Sequence, residues 1–318
     1  MRIGIIGTGR IADRFVKTAL VNQVDVHIKC VFNPKISSSK KFAESHHIEN
    51  FTDDLDKLWE YVDAVYVASP HETHFLYAKQ ALLQGKHVLC EKPMALAARD
   101  VELLYDLADK QGCVLMEAIK TAYCPGFIEL LKIARSGVIG EIIDVESAFT
   151  RLTPKDTREF EDVKYGGSFL EFGSYVLLPI IKLLGLDYKH ISFKSLYEDN
   201  GVDNYTKCYI DYNDKIATGK TGLSVKSEGQ LLVSGTKGYI LVPSPWWMTK
   251  KFQVRFEDPN EFQEYEFEYK SSGLQYELDC FIDAINGVNN DICKVSRNES
   301  VAIANILERF ILKMKKHS

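Results

Sequence analysis

Two closely spaced glycines near the start of the chain have the spacing of a phosphate-binding turn. The segment Gly7-Thr8-Gly9-Arg10-Ile11-Ala12 follows the apolar run Arg2–Ile6 directly and opens a helical pattern. In such a strand–turn–helix the first glycine permits the tight turn and the second lets the backbone approach a pyrophosphate. The amides at the helix N-terminus then hold the phosphates. Placement at the first turn of alternating strands and helices favours a dinucleotide site over an ordinary turn, with five residues at the cofactor: Gly7, Thr8, Gly9, Arg10 and Ile11.

The end of the second predicted strand bears on the choice of cofactor. An acidic residue usually stands ~20 positions after the glycines and binds the ribose 2′-hydroxyl, whereas here the strand ends in Phe32-Asn33-Pro34. Asn33 can bind a ribose hydroxyl without repelling a 2′-phosphate. Four polar residues nearby could contact that phosphate or instead cap the next helix: Lys35, Ser37, Ser38 and Lys40. NAD and NADP both stay open, and the missing acid favours NADP slightly.

A lysine stands where a parallel strand is expected to end. The run Gly85-Lys86-His87-Val88-Leu89-Cys90-Glu91-Lys92-Pro93 places Lys92 just after the strand predicted over His87–Cys90. Ligands of open parallel sheets lie beyond the carboxyl ends of the strands, so Lys92 is expected at the cofactor crevice. Most lone lysines on loops are simply solvated, and position alone therefore assigns Lys92 no chemistry.

Glu171 and Tyr175 are four residues apart in the helix predicted over 167–184, so their side chains share one helix face. A tyrosine titrates near ~10, and a cation such as Lys92 favours its phenolate form. Tyr175 could then donate a proton to a carbonyl oxygen in reduction, or accept the proton of a hydroxyl in oxidation. Glu171 would orient or charge-balance the lysine. The alternative for Tyr175 is a core position with its hydroxyl satisfied.

Several other residues have less specific patterns. His71 and His74 lack a third ligand at metal-binding spacing, which favours a pocket or packing role, and no metal site is predicted. Trp246 and Trp247 would point to opposite faces of a strand, so at least one of them is expected to be structural. Three residues are candidates for substrate contact, with a solvated surface position as the alternative for each: Lys120, Tyr123 and Tyr165.

The first 120 residues alternate apolar runs with amphipathic segments, which is typical of βαβ units and of a doubly wound parallel sheet. Strands are predicted at Arg2–Ile6, Val26–Phe32, Ala64–Ala68, His87–Cys90 and Val114–Ala118. Helices are predicted at Ile11–Val21, Ser38–His46, Asp54–Trp59, Thr73–Gln84 and Arg99–Gln111.

The pattern changes after Tyr123-Cys124-Pro125-Gly126, where longer alternating runs begin. Residues 252–257 and 264–269 place aromatic and Val side chains on one face and charged or amide side chains on the other, as in half-buried antiparallel strands. Further helices are predicted at Gly167–Leu184, Gln275–Ile285 and Glu299–Lys313. We therefore expect an α/β protein with a Rossmann domain over 1–120 and an α+β substrate domain over 121–318.

Composition restricts the possible partners. A chain of 318 residues with 46% apolar and 26% charged residues can form two cores. Its net charge of −5 and interspersed Lys and Arg residues argue against nucleic acid. Seven scattered cysteines are expected to be reduced thiols, no secretory signal is evident at Met1, and no apolar run reaches the ~18 residues of a membrane span. The sequence thus predicts a cytoplasmic protein.

Taken together and in this order, the motifs resemble those of the glucose–fructose oxidoreductase / inositol dehydrogenase (Gfo/Idh/MocA) family. The resemblance extends over nearly the whole chain. Its segments are Gly7 to Ala12, Ser69-Pro70-His71 with His74, Gly85 to Pro93, Gly166-Gly167 to Tyr175, Gly235-Thr236-Lys237-Gly238, Pro243 and Trp246-Trp247.

The resemblance implies that Lys92 is catalytic and that Glu91 and His71 shape the nicotinamide pocket, with Ser69, Pro70 and His74 also near the cofactor. It further implies a large, mostly antiparallel open sheet in the second domain, which commonly joins the subunits of an oligomer, here expected to be a homodimer. The predicted function is hydride transfer between NAD(P) and a small alcohol or carbonyl compound. Sugars, polyols, dihydrodiols and dicarbonyls are the classes expected as substrates.

Many members of this family place an Asp and, four residues later, a His after the double glycine, where this chain has Glu171 and Tyr175. The tyrosine and the run Met116-Glu117-Ala118-Ile119-Lys120-Thr121 resemble the dihydrodiol dehydrogenase branch. That branch carries an aromatic residue at position 120 and an Arg at 122, and this chain has Lys120 and Ala122, so its substrates do not carry over directly.

Two alternative functions are a regulatory protein that only senses the cofactor and a lyase or glycosidase that uses NAD transiently. Retention of both Lys92 and Tyr175 argues against the first. Cofactor that copurifies and never turns over in bulk would favour the second.

Overall fold

A computed structural model describes residues 1–18, 26–269, 271–288 and 295–314. The chain forms two compact units. The first contains residues 1–123 and 270–301, and the second contains residues 124–269 and 302–318.

The first unit is built on a six-stranded sheet with the order β3-β2-β1-β4-β5-β6, in which every neighbouring pair is parallel. Its strands are β1 (Arg2–Ile6), β2 (His27–Phe32), β3 (Asn50–Thr52), β4 (Ala64–Val67), β5 (His87–Glu91) and β6 (Leu115–Ala118). The reversal of strand order on either side of β1 makes this the predicted doubly wound sheet. The short strand β3 was missed because three residues carry no usable period.

Helices connect these strands at α1 (Arg10–Thr18), α2 (Ile36–His46), α3 (Leu55–Tyr61), α4 (His74–Leu83) and α5 (Ala98–Gln111). In α5 the residues buried against the sheet recur at helical spacing, as Val101, Leu104 and Ala108. The helix ends at Gly112, which has a left-handed conformation that glycine adopts without strain. Residues 19–21, predicted as the end of the first helix, lie outside the described residues.

The second unit contains an eight-stranded sheet with the order β14-β13-β12-β11-β7-β10-β9-β8. Its strands are β7 (Ile142–Thr150), β8 (His190–Tyr197), β9 (Asp203–Asp211), β10 (Ile216–Gly222), β11 (Leu231–Gly235), β12 (Tyr239–Val242), β13 (Lys251–Arg255) and β14 (Phe262–Glu266). All neighbouring pairs are antiparallel except β7 with β10. The predicted large, mostly antiparallel open sheet is confirmed.

Four helices accompany this sheet: α6 (Pro125–Arg135), α7 (Arg158–Glu161), α8 (Ser168–Leu184) and the C-terminal part of α10 (Arg297–Met314). The helix α8 packs on β7, β9 and β10. Alternation in the strands places Thr206, Cys208 and Ile210 of β9 in the core, while Tyr209 is exposed. One face of the sheet is therefore covered by helix, as the alternating pattern predicted.

The boundary expected near residue 120 has a counterpart at Tyr123/Cys124, but one boundary does not account for the whole chain. The helix α9 (Leu274–Ile285) belongs to the first unit, whereas the predicted bounds of 121–318 include it in the second domain. Its apolar stripe of Leu274, Leu278 and Phe281 is buried, and it packs on α1 and β5. A late segment can join an early core because packing, not chain order, decides where an apolar face is buried.

Candidate active site

The turn after β1 has the shape that a dinucleotide requires. Gly7 has a φ of +108°, and a Cβ there would lie 2.5 Å from the carbonyl oxygen of Ala68, so only glycine fits. At Gly9, in contrast, no described atom outside its chain neighbours lies within 4 Å of the position of a Cβ. The helix α1 begins at the next residue, Arg10. Open space beside a glycine at a helix N-terminus fits a bound pyrophosphate.

Asn33 ties the end of β2 to this turn. Its side-chain amide donates to the hydroxyl of Thr8 at 2.9 Å, and its carbonyl oxygen accepts from the backbone N–H of Lys35 at 2.9 Å. Lys35, the N-cap residue of α2, makes no side-chain capping bond. Lys35 and Ser37 are exposed. Asn33 therefore shapes the loop beside the glycine turn, and the adjoining polar side chains are accessible to a ligand.

His74 joins two loops that follow neighbouring strands. Its ring nitrogens Nδ1 and Nε2 lie 2.8 Å from the carbonyl oxygens of Pro93 and Ser69, respectively. The ring is 1% exposed, and burial lowers its pKa. The hydroxyl of Ser69 accepts a bond from Thr73 at 2.7 Å. The structure therefore places His74 as a link that fixes the loop after β4 against the loop containing Lys92.

Lys92 follows β5 directly, as predicted, and only 8% of it is exposed. The neighbouring Glu91 is also buried. The hydroxyl of Tyr66 donates to its Oε1 at 2.5 Å, and the backbone N–H of Lys92 donates to its Oε2 at 3.2 Å. Burial raises the pKa of Glu91, and the charge of Lys92 acts in the opposite direction. A buried ammonium thus has a buried acidic neighbour at the carboxyl end of β5, an interior strand of the sheet.

Two more carboxyl groups are buried in the first unit and were not singled out from the sequence. Glu117 on β6 accepts bonds from the backbone N–H of Met94 at 2.9 Å and from the hydroxyl of Ser300 at 2.5 Å. Burial raises its pKa to about 7. Glu277 on α9 is fully buried. Its position among Leu274, Leu278 and Phe281 on the apolar stripe was the available sequence signal, since a charge there must be buried.

The candidate substrate residues of this unit lie in a short 3₁₀ helix at Lys120–Tyr123. Tyr123 is 3% exposed, and its hydroxyl donates to the carbonyl oxygen of Glu117 at 2.7 Å. Lys120 is half-buried, and its Nζ donates to the carbonyl oxygen of Ser272 at 3.1 Å. Both side chains hold parts of the first unit together.

In the second unit, Glu171 and Tyr175 are the half-buried members of an otherwise buried stretch of α8. Every other residue of this helix from Ser168 to Ile181 is buried. The two side chains therefore form an accessible stripe on one helix face, as their spacing predicted. The ring of Tyr175 packs with its centroid 5.2 Å from that of Phe149. Such packing against the core fixes the ring while one edge stays accessible.

A buried aspartate anchors the start of the helix that carries this stripe. The Oδ2 atom of Asp203 accepts bonds from the Ser168 hydroxyl at 2.7 Å, the Phe169 N–H at 3.0 Å and the Thr206 hydroxyl at 2.7 Å. Burial raises its pKa to about 6. At Gly167, φ is +95° and a Cβ would lie 2.0 Å from Asp203 Oδ1. The double glycine thus lets the chain approach its anchor closely.

The remaining predicted residues of this unit have distinct surroundings. Tyr165 is half-buried, and Lys164 lies over its ring with Nζ 4.7 Å from the centroid. Trp246 and Trp247 lie in a short 3₁₀ helix (Trp246–Met248) and not on a strand, which corrects the expectation of opposite faces. Trp246 is fully buried and its indole donates to the carbonyl oxygen of Ala148 at 2.9 Å, so it is structural.

Among the residues that the structure describes, no three His, Cys, Asp or Glu side chains are grouped so as to hold a metal ion. Within the same part of the chain, none of the helices combines the length and apolar character needed to cross a membrane.

Comparison with known families supports the chemistry suggested by these motifs. Residues 1–119 match the model of an oxidoreductase family with an NAD-binding Rossmann fold, and residues 127–241 match the C-terminal domain of the same Gfo/Idh/MocA group. The chain belongs to the Gfo/Idh/MocA family. The predicted family is therefore confirmed, and the protein is an NAD(P)-dependent oxidoreductase that acts on a small molecule.

Relatives of this Gfo/Idh/MocA member match the predicted family and include the predicted dihydrodiol dehydrogenase branch. The scyllo-inositol 2-dehydrogenase (NADP⁺) of Bacillus subtilis is 28% identical over 74% of this chain and 76% of its own length. The trans-1,2-dihydrobenzene-1,2-diol dehydrogenase of Xenopus tropicalis is 26% identical over 87% of this chain and 86% of its own. A 3-ketoreductase from Actinomadura kijaniata, solved with NADP and TDP-benzene, has a TM-score of 0.83 and 22% identity, with 97% and 96% of the two chains covered. At 22% identity, the similarity to the 3-ketoreductase shows a shared fold.

Proposed function

We propose that the protein reduces or oxidises a sugar, polyol, dihydrodiol or dicarbonyl compound at a carbon bearing a carbonyl or hydroxyl group. The observation that carries this proposal is the buried Lys92 beside Glu91 at the carboxyl end of β5, where a ligand of a parallel sheet is expected. The nicotinamide, when bound, supplies or accepts the hydride. The glycine turn, Asn33 and the loop from Ser69 to His74 are the groups that would hold the dinucleotide.

Tyr175 is the proposed proton donor in reduction and acceptor in oxidation. Its accessible position on α8 leaves the phenol available to substrate, while packing against Phe149 fixes the ring. Lys92 contributes a positive charge that favours the phenolate after the proton has left. Glu171, on the same accessible stripe, would orient or balance that charge. Tyr165 in the second unit and Lys120 in the first are both half-buried and are further candidates for substrate contact.

The substrate class is tested by mixing the purified protein with NADPH or NADH and a panel of aldoses, osones and diketones, and with the oxidised cofactors and dihydrodiols. We expect absorbance of the reduced cofactor to change with at least one class. Product formation with no bulk change of cofactor would instead indicate the lyase or glycosidase alternative. Cofactor binding without any turnover would favour the regulatory alternative.

We propose NADP as the preferred cofactor, because residues 33–43 contain no acid and Lys35 and Ser37 are exposed beside the glycine turn. The Lys35→Glu variant is expected to weaken NADP binding about tenfold and NAD binding little. This corresponds to loss of one charge-assisted bond to the 2′-phosphate, ~1.5 kcal/mol. Dissociation constants by fluorescence titration measure both, and Lys57→Glu on α3 controls for the charge change. Tighter binding of NAD than of NADP by the wild type would refute the preference.

We propose a homodimer joined through the uncovered face of the eight-stranded sheet. Four large apolar side chains are exposed on strands of that face: Leu196, Tyr209, Ile216 and Phe262. A charge in such an apolar contact is costly to bury. Light scattering at micromolar concentration is therefore expected to give twice the chain mass of 36.1 kDa for wild type and a single-chain mass for Ile216→Lys. Leu83→Lys, an equally exposed site in the first unit, should leave the dimer intact. A wild type of single-chain mass contradicts the proposal.

We also propose a cytoplasmic location, because the described cysteines form no disulfides, as expected in a reducing compartment. They are Cys30, Cys90, Cys113, Cys124, Cys208 and Cys280. Cys293 lies outside the described residues.

A further inference from the structure

Glu277 is unusual among the buried carboxyl groups of the first unit. It is 0% exposed, and neither carboxylate oxygen has a hydrogen-bond partner among the described residues. Glu117, by comparison, accepts bonds from Met94 and Ser300. An ionised carboxylate without donors is very costly to bury. The absence of donors around Glu277 therefore requires a compensating group or a bound proton.

The helix α9 packs on β5, on α1 and on the Lys120–Tyr123 turn, and these elements supply the charges around Glu277. Glu91 on β5 opposes its ionisation, and Lys120 favours it. Burial raises the pKa of the Tyr123 phenol, and the charge of Glu277 raises it further. No described charge on α1 contributes to the shift of the Glu277 pKa. The balance is unfavourable, since burial and a like charge act against one ammonium, and together they raise the pKa of Glu277 well above the ordinary range.

Hydrogen bonding decides which of the two carboxyl groups keeps the proton. Glu91 accepts bonds from the Tyr66 hydroxyl and from the Lys92 backbone N–H, and bonds donated to a carboxylate stabilise its ionised form. None of the described residues donates a hydrogen bond to Glu277. Two strongly interacting carboxyl groups titrate as a pair, and donated hydrogen bonds favour ionisation of the group that receives them. The hydrogen bonds therefore favour Glu91 as the ionised member of the pair and Glu277 as the protonated one.

We propose that Glu277 is a positioning residue for Lys92: its buried carboxyl keeps a proton, which leaves Glu91 ionised as the counter-ion of the Lys92 ammonium. This inference rests on the catalytic role proposed for Lys92. Loss of the Glu277 proton places a second negative charge near Glu91 and Lys120, which disturbs the charge balance that holds Lys92. Activity should therefore decline at the pH where Glu277 ionises.

The variant Glu277→Gln is a permanently neutral isostere of the protonated form. We expect it to keep kcat within about threefold of wild type near neutral pH, because the neutral state is already the working one. The alkaline decline of kcat that Glu277 causes should move or disappear in this variant. The exposed Glu60→Gln provides a matched control that should leave the profile unchanged.

A second measurement does not depend on turnover. The folded state with a raised carboxyl pKa binds an extra proton above the unfolded pKa of ~4.3, so this group's contribution to stability falls as pH rises. Chemical unfolding of the cofactor-free protein at several pH values should show this decline in wild type. In Glu277→Gln the free energy of unfolding should fall less steeply with pH, and the difference in slope should correspond to about one bound proton.

An identical pH dependence of unfolding in wild type and Glu277→Gln would show that Glu277 holds no extra proton and would overturn the proposal. An unchanged kcat profile with an altered unfolding profile would overturn its link to Lys92. If Glu277→Gln does not fold, Lys120→Met is used, since loss of that cation should shift the alkaline decline to higher pH, and an unmoved decline counts against the proposal. Full activity of Lys92→Met would refute the proposed function separately, without affecting the unfolding result.

Discussion

Replacement of Tyr175 by phenylalanine is expected to lower kcat by ~10²–10⁴-fold, the contribution of general acid–base catalysis. The change removes only the phenolic hydroxyl, so the ring keeps its packing 5.2 Å from Phe149 and α8 keeps its anchor at Asp203. The dissociation constant of the cofactor should stay nearly unchanged. A loss confined to kcat is the signature of an interaction made in the transition state.

The measurement is steady-state turnover with a substrate active in the panel, together with cofactor titration. Tyr188→Phe is the matched control, because it removes the same hydroxyl from a half-buried tyrosine of the same unit that has no proposed role in the site. Near-wild-type turnover of Tyr175→Phe would show that the proton comes from elsewhere, with Tyr165 or a bound water next in line. A large loss in Tyr165→Phe alone would reassign the donor.

Neutralising Lys92 should cost at least as much activity as the loss of the Tyr175 hydroxyl. Lys92→Met leaves the buried Glu91 without its neighbouring cation. In the proposed mechanism it also removes the charge that favours the phenolate. The ionisation that controls kcat should therefore move to higher pH or vanish from the accessible range. A pH profile of Lys92→Met that coincides with wild type would separate the lysine from the proton transfer.

Much of the fold could be predicted because its sequence signals are local. The glycine turn, the strand ending at Glu91 and the helix after Gly167 are each encoded within about twenty residues, and periodicity gave their positions to within a few residues. The shared face of Glu171 and Tyr175 follows from a spacing of four residues. In the structure these are the half-buried residues of the otherwise buried stretch from Ser168 to Ile181.

Features that depend on distant contacts could not be predicted in the same way. The return of α9 to the first unit and the anchoring of α8 by Asp203 join residues far apart in the chain. Lys120 and Tyr123 were candidates for substrate contact, with a solvated surface position as the alternative. In the structure Lys120 binds the carbonyl oxygen of Ser272 and Tyr123 is buried. The position of Glu277 on an apolar helix stripe can be read from the sequence, but the residues around it are known only from the tertiary structure.

Another large effect is expected at the glycine turn, where substitutions of Gly7 and Gly9 should be harmful for different reasons. Gly9→Val should fold normally, because no described atom beyond its chain neighbours lies within 4 Å of the new Cβ. Its side chain would fill the space proposed for the pyrophosphate and prevent the approach of the helix amides. Loss of two charge-assisted bonds, each worth ~1.5 kcal/mol or more, should weaken cofactor binding about a hundredfold.

Gly7→Ala is the contrasting variant, because its Cβ would lie 2.5 Å from the Ala68 carbonyl oxygen in a backbone with φ +108°. The strained backbone alone should lower the free energy of unfolding by ~1–3 kcal/mol. Thermal unfolding without cofactor and cofactor titration together separate the two effects. Gly9→Val should have the unfolding temperature of wild type and lack the stabilisation that added cofactor gives, because only a ligand that binds the native state raises that temperature. If Gly9→Val binds the dinucleotide as tightly as wild type, the pyrophosphate does not lie over this turn, and the cofactor site must be sought elsewhere in the first unit.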